Sequence, residues 1–161
     1  MVENFIELMK GLPEELIIFV ISLLPVLELR GGMLAAALLD VPWLKAFIIC
    51  LIGNILPIPF ILLFLRKIFN FCKKIPGIRR IILWLEKHGS KKGNKLNKGL
   101  EWGLFTLVAL PLPGTGGWTG ALVATMMNIR IKKSFPIIFA GVIAAGVIMS
   151  VLSYFIPDLF F

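Results

Sequence analysis

The sequence predicts an all-α integral membrane protein of two inverted repeats, each a re-entrant helical hairpin plus one transmembrane helix, joined by a basic cytoplasmic linker. Three features lead there: composition, the sorting of charge along the chain, and a repeated order of elements. Of 161 residues, 58% are hydrophobic and 16% charged, and the mean hydropathy is +0.94. Soluble domains have about 45–50% apolar and about 25% charged residues. A soluble chain of this size would have to hide more apolar surface than one core holds. That excludes a soluble enzyme, a disordered tail and a disulfide scaffold. Cys50 and Cys72, on a continuous helix, would lie roughly 33 Å apart, too far to bridge.

Residues 1–13 read as an interfacial N-terminal segment. Glu3 and Glu7 precede the first lysine, so the basic start of a cleavable signal is missing. Residues 14–39 read as the first re-entrant hairpin. An apolar stretch reaching about 16 Å as a helix, half the hydrocarbon thickness, meets Pro25, Glu28, Arg30, Gly31 and Gly32, which place both charges in a non-helical tip. Residues 43–68 read as the first span, around an uncharged run of 20 residues from Ala46 to Leu65. Gly53, Asn54, Pro57 and Pro59 should kink it; Asn54 lines a path through the protein or glues helices together.

Residues 69–100 read as the basic linker. Ile78, Ile81, Ile82 and Leu85 recur at helical spacing beside Arg79, Arg80 and Lys87, which fits a helix on an anionic leaflet or a solvated connector. His88 stands alone and makes no metal site. Residues 101–127 read as the second hairpin. Its tip, PLPGTGGWTG at residues 111–120, has two prolines and four glycines and will not continue a helix. A half-helix is expected from Ala121. Residues 134–157 read as the second span, with Ala140/Ala144 and Gly141/Ala145 forming small-residue pairs for packing.

The halves repeat. At a shift of 86, Leu24, Pro25, Gly31 and Ala35 meet Leu110, Pro111, Gly117 and Ala121. At a shift of 88, Lys45, Phe47, Ile49, Gly53 and Ile55 meet Lys133, Phe135, Ile137, Gly141 and Ile143. Charge then sets the orientation. Between Arg66 and Lys98 lie 11 of the 17 basic residues and one acid, Glu86; Arg130, Lys132 and Lys133 follow the second hairpin. Two hairpins put both clusters on one side, and the positive-inside rule makes that side cytoplasmic, with both termini outside. The net charge of +8 is thus a topology signal in a multi-pass protein of the cell membrane, and no nucleic-acid partner is expected.

An ionisable side chain at membrane depth costs at least about 2.5–3.5 kcal/mol on insertion scales, which makes it a functional candidate. Arg30 is suited to anchor an anion, because guanidinium stays charged and binds bidentately. Glu28 is suited to carry a proton. The other reading is an ion pair that braces the hairpin. Residues Pro111, Pro113, Gly114, Thr115, Gly116, Gly117, Trp118 and Thr119 resemble a phosphate cradle without the lysine of a Walker loop. With Gly31 and Gly32, they would aim two half-helix N-termini at an anion near the midplane, or merely let two hairpins cross closely. No carboxylate pair, Ser/His set or metal cluster is visible within the apolar segments, so neither an enzyme nor a cofactor is expected.

LPVLELRGG before a GN-containing span, and PLPGTGGWTGA before a Gly- and Ala-rich span, resemble the small multidrug export protein family. The match covers nearly the whole chain, and the second motif is fairly specific. That family is distantly similar to the DedA/VTT superfamily of paired re-entrant hairpins. The resemblance implies proton-motive-force-dependent transport or movement of phosphate-bearing lipids, and matches Glu28 to the acidic residue of the first hairpin. DedA proteins usually place arginines in the second hairpin, whereas this chain has Arg30 in the first. The expected function is proton-coupled transport of an amphipathic or phosphate-bearing anionic solute or lipid. Membrane lipids and protons are the expected partners, with a homodimer because two spans and two hairpins enclose little volume. A passive lipid scramblase or channel, or a scaffold holding a partner through the linker, are the other readings.

Overall fold

A computed structural model describes residues 11–75, 94–112 and 114–155, with 77, 79, 80 and 83. Residues 1–10 of the segment expected to be interfacial, most of the linker segment with His88, Pro113 in the second tip and residues 156–157 lie outside the described residues. Every regular element among the described residues is a helix: α1 Glu14–Leu23, α2 Glu28–Leu38, α3 Trp43–Ile55, α4 Ile58–Cys72, α5 Asn94–Ala109, α6 Gly117–Met126 and α7 Ile131–Ser150, which continues as a π-helical turn, Val151–Phe155. Prolines 13 and 42 precede α1 and α3, positions where a missing N–H costs no intrahelical bond.

Among the described residues, two helical segments are long and apolar enough to cross a bilayer. Trp43–Cys72 has 30 residues and Ile131–Phe155 has 25, and the most apolar 18-residue windows have mean hydropathies of 2.6 and 2.5. The most apolar window of each is only 28% and 39% buried, and Phe60, Phe64, Phe71 and Phe155 are each more than 60% exposed. Core helices of a soluble protein bury such residues, whereas a bilayer takes them. The break at Leu56 and Pro57 falls where Pro57 and Pro59 deprive the preceding turn of two N–H donors.

The chain forms two compact units, Met1–Leu56 with Ala145–Phe161, and Pro57–Ala144. In the first unit, α1, α2 and α3 pack on one another and the π-helical turn packs on α2. In the second, α4 and α5 each pack on α6. Corresponding contacts recur inside each unit. Lys45 pairs with Glu15 at 2.5 Å, and Lys133 with Glu101 at 3.1 Å. A methyl on Gly53 would meet the Phe19 carbonyl and Ser22; one on Gly141 would meet the Phe105 carbonyl and Val108. Just beyond α2 and α6, Asp40 and Asn128 both take φ 54°, the left-handed conformation after a helix C-terminus that Asp and Asn tolerate. Behind them Val41 N–H donates to Ala36 O, and Ile129 N–H to Ala124 O.

These matches correct two readings. First, Gly31 and Gly32 do not end a helix, and Glu28 and Arg30 do not lie in a non-helical tip: α2 starts at Glu28 and runs through both glycines. Tight packing keeps the helix, because a Cβ on Gly32 would lie 1.9 Å from Ser22 Oγ and 2.8 Å from Cys50 Sγ. Second, the partner of Gly32 is Gly120, whose Cβ would meet Val108 and Ile138, so a shift of 88 already applies to the second helix of each hairpin. The second tip is longer, and α6 begins at Gly117 rather than at Ala121. Of the small-residue pairs in α7, Gly141 and Ala145 are buried, whereas Ala140 is exposed.

Candidate functional site

Within the first unit, α3 returns alongside α2 after the short connection at residues 39–42, so one turn forward on α3 lies one turn back on α2. Cys50 faces Gly32. The next turn therefore brings Asn54 to the level of Glu28. Both are buried, Glu28 at 5% exposure and Asn54 at 2%. Glu28 opens α2 at φ 52°, a conformation a long side chain adopts only under constraint, and its N–H donates to Leu24 O at 2.9 Å. Arg30, half-buried, interacts electrostatically with Glu28. Asn54 Oδ1 is buried and accepts no hydrogen bond. An acceptor in that state costs about 1–3 kcal/mol, and a proton on a carboxyl or an N–H or O–H of a ligand would satisfy it.

The end of the second span closes this unit. Gly146 lies against Phe47 and Leu29, and the Tyr154 hydroxyl donates to Val41 O at 2.8 Å. The π-helical turn is thereby tied to the C-terminal end of α2. Ser153 Oγ in the same turn is buried without a partner. Neither Tyr154 nor Ser153 was singled out by sequence, since a π-helical turn has no signature that apolar periodicity reveals.

Within the second unit, the tip is held by its own hydroxyls. Thr115 Oγ1 lies 2.8 Å from Leu110 O and 2.9 Å from Leu112 O, and Thr119 Oγ1 donates to Gly114 O at 2.8 Å. These bonds tie up carbonyls of the tip itself, beyond the end of α5. Gly114 takes φ 81°, which favours glycine. Gly116 and Gly117 are buried at the start of α6, and Pro111 is half-buried beside them. The threonines are thus turn braces whose protons are committed to the backbone. Trp118 is half-buried and, with Pro57, Phe60, Phe64 and Lys67, lines a groove of about 670 Å³. In the sequence, Lys67 is one of the basic residues whose sorting sets the orientation.

The structure therefore places Glu28, Arg30, Gly31 and Gly32 on α2, with Asn54 one turn beyond the Cys50–Gly32 contact on α3 of the same unit, and Pro111, Gly114, Thr115, Gly116, Gly117, Trp118 and Thr119 in the tip and first turn of α6 in the second unit. Among the described residues, no group of three or more His, Cys, Asp or Glu side chains is placed to hold a metal. A family model described as "Putative small multi-drug export protein" matches residues 28–148. No curated protein and no solved structure matches the chain.

Proposed function

The chain belongs to the small multi-drug export protein family, and on that premise we propose that it is a proton-coupled membrane transporter exporting an amphipathic, anionic solute. The observation that carries the proposal is the buried constellation in the first unit: Glu28 at a left-handed position, the Arg30 charge two residues on, and the unmatched Asn54 Oδ1 at the same level. Arg30 holds the anionic group of the solute. Glu28 takes up a proton when the solute takes its place on Arg30, and the carboxyl O–H then satisfies Asn54 Oδ1. Loss of that proton as the solute leaves restores the carboxylate and its attraction to Arg30. A site alternating in this way couples two fluxes because the solute and the proton are held together.

In this reading α1 and α2, of 10 and 11 residues, enter and leave half the bilayer, since they reach only about 15–17 Å. Helix α6 and the membrane end of α5 do the same from the opposite side. By their order of elements the halves read as inverted copies, the basic linker faces the cytoplasm and the termini face outward. Two copies of the chain form the working unit.

The test is flux of a fluorescent lysophosphatidylglycerol, an amphipathic phosphate anion, from proteoliposomes under an imposed pH gradient. Wild-type protein should export it, Arg30→Ala should raise the concentration needed, and Glu28→Gln should abolish gradient dependence. Flux that needs no gradient and tolerates Glu28→Gln would instead identify a passive scramblase or channel.

A further inference from the structure

We propose that the groove of the second unit binds an anionic phospholipid of the surrounding membrane, with Lys67 taking the phosphate and Phe60, Phe64 and Trp118 taking an acyl chain. Helix α4 buries Ile58 and Leu62, which turns Phe60, Leu63, Phe64 and Lys67 to its other side at helical spacing. Those three apolar residues are 69%, 53% and 64% exposed. Trp118 from α6 and Pro57 at the helix break complete the lining, which has a volume of about 670 Å³.

Charge selects the occupant. Lys67 is the one charged residue among those that line the groove, and among the described residues no carboxylate pairs with it. Its neighbour Arg66 is committed to the Ile129 carbonyl, so the Lys67 ammonium is the cation left to meet an incoming anion. It stands at the end of an aromatic and aliphatic stripe, the arrangement in which a lysine stem lies on apolar surface and its head meets a phosphate. A second copy of this chain seated here would bury that ammonium away from water, a cost of several kcal/mol without a partner. A zwitterionic lipid offers only a phosphate whose charge its own ammonium already balances.

The repeat sharpens the point. At the shift of 88, Lys67 corresponds to Phe155 and Trp118 to Arg30, so the first unit has no cation at the corresponding outer position. A headgroup preference arising at Lys67 therefore belongs to the second unit. Neither Glu28 nor Asn54 takes part, so this site stands whether or not the protein couples transport to protons.

The experiment uses the full chain with Trp43, Trp84 and Trp102 replaced by Phe, leaving Trp118 as the reporter. In vesicles, brominated phosphatidylglycerol should quench Trp118 at about a fivefold lower mole fraction than brominated phosphatidylcholine, the bias that one basic residue confers at an anionic surface. Lys67→Gln should erase the difference and Lys67→Arg should keep it. Native mass spectrometry of the unaltered chain and of Lys67→Gln, counting retained phosphatidylglycerol, gives the same comparison should the three-fold substitution prevent folding. Equal quenching by both lipids, a preference that survives Lys67→Gln, or Trp118 shielded from both lipids by a second copy would overturn the proposal.

Discussion

A methyl group at Gly32 would lie 1.9 Å from Ser22 Oγ and 2.8 Å from Cys50 Sγ. Gly32→Ala should therefore lower stability in detergent by about 1–3 kcal/mol, read as a drop in Tm. Adding Ser22→Gly, which removes the nearest obstacle, should recover part of the loss. Gly103→Ala is the control: nothing lies within 4 Å of its added carbon, and alanine should stabilise that helix by up to about 1 kcal/mol. Glu28 makes the opposite point. Its φ of 52° could not be read from sequence, because left-handed positions are signalled by glycine and asparagine, and a glutamate there carries no mark. What sequence did show was its depth, an acid and an arginine in the middle of apolar segments. Asn54 was equally open, a path residue or helix glue, until Cys50 against Gly32 fixed its level. Tyr154 had no visible role at all; Tyr154→Phe should cost about 1 kcal/mol by removing the bond to Val41 O.

Several contacts recur in the two units. Lys45 with Glu15 and Lys133 with Glu101 tie each span to the first helix of its hairpin. The Lys45 ammonium, by hydrogen bonding and charge, holds the exposed Glu15 carboxyl below its ordinary value of 4.5. A depressed carboxyl stabilises the fold above the unfolded value and loses that contribution as pH falls through the lowered one. Wild-type Tm should therefore fall toward Glu15→Gln Tm below pH 4.5, and the difference at neutral pH should be small, as for any exposed pair. The Lys45/Lys133 and Gly53/Gly141 matches were legible because both residue identities survive. The register of the second helix was not: glycines and alanines recur so often there that a shift of 86 fits by identity, while packing requires 88. The two glycines at positions 31 and 32 misled for a related reason. Propensity gives them a cost of about 1 kcal/mol each, and only the closeness of α1 and α3 shows why the helix keeps them.

For the whole molecule, charge and exposure separate along different lines. Apolar side chains on both spans are exposed, while 14 of the 17 basic residues lie between Arg66 and Lys98 or at Arg130, Lys132 and Lys133. Single cysteines replacing Glu14 and Lys92 should be labelled from opposite faces of the membrane if both hairpins turn back; four full crossings would put them on the same face. The central claim is that proton and solute movement share Glu28. Its most direct test is a pH-sensitive dye sealed inside proteoliposomes loaded with the lysophosphatidylglycerol probe, with no pH gradient imposed. Outward flow of the probe should drive a measurable pH change with wild-type protein and none with Glu28→Gln, whose probe release should persist without proton movement. A pH change of wild-type size with Glu28→Gln would contradict the account.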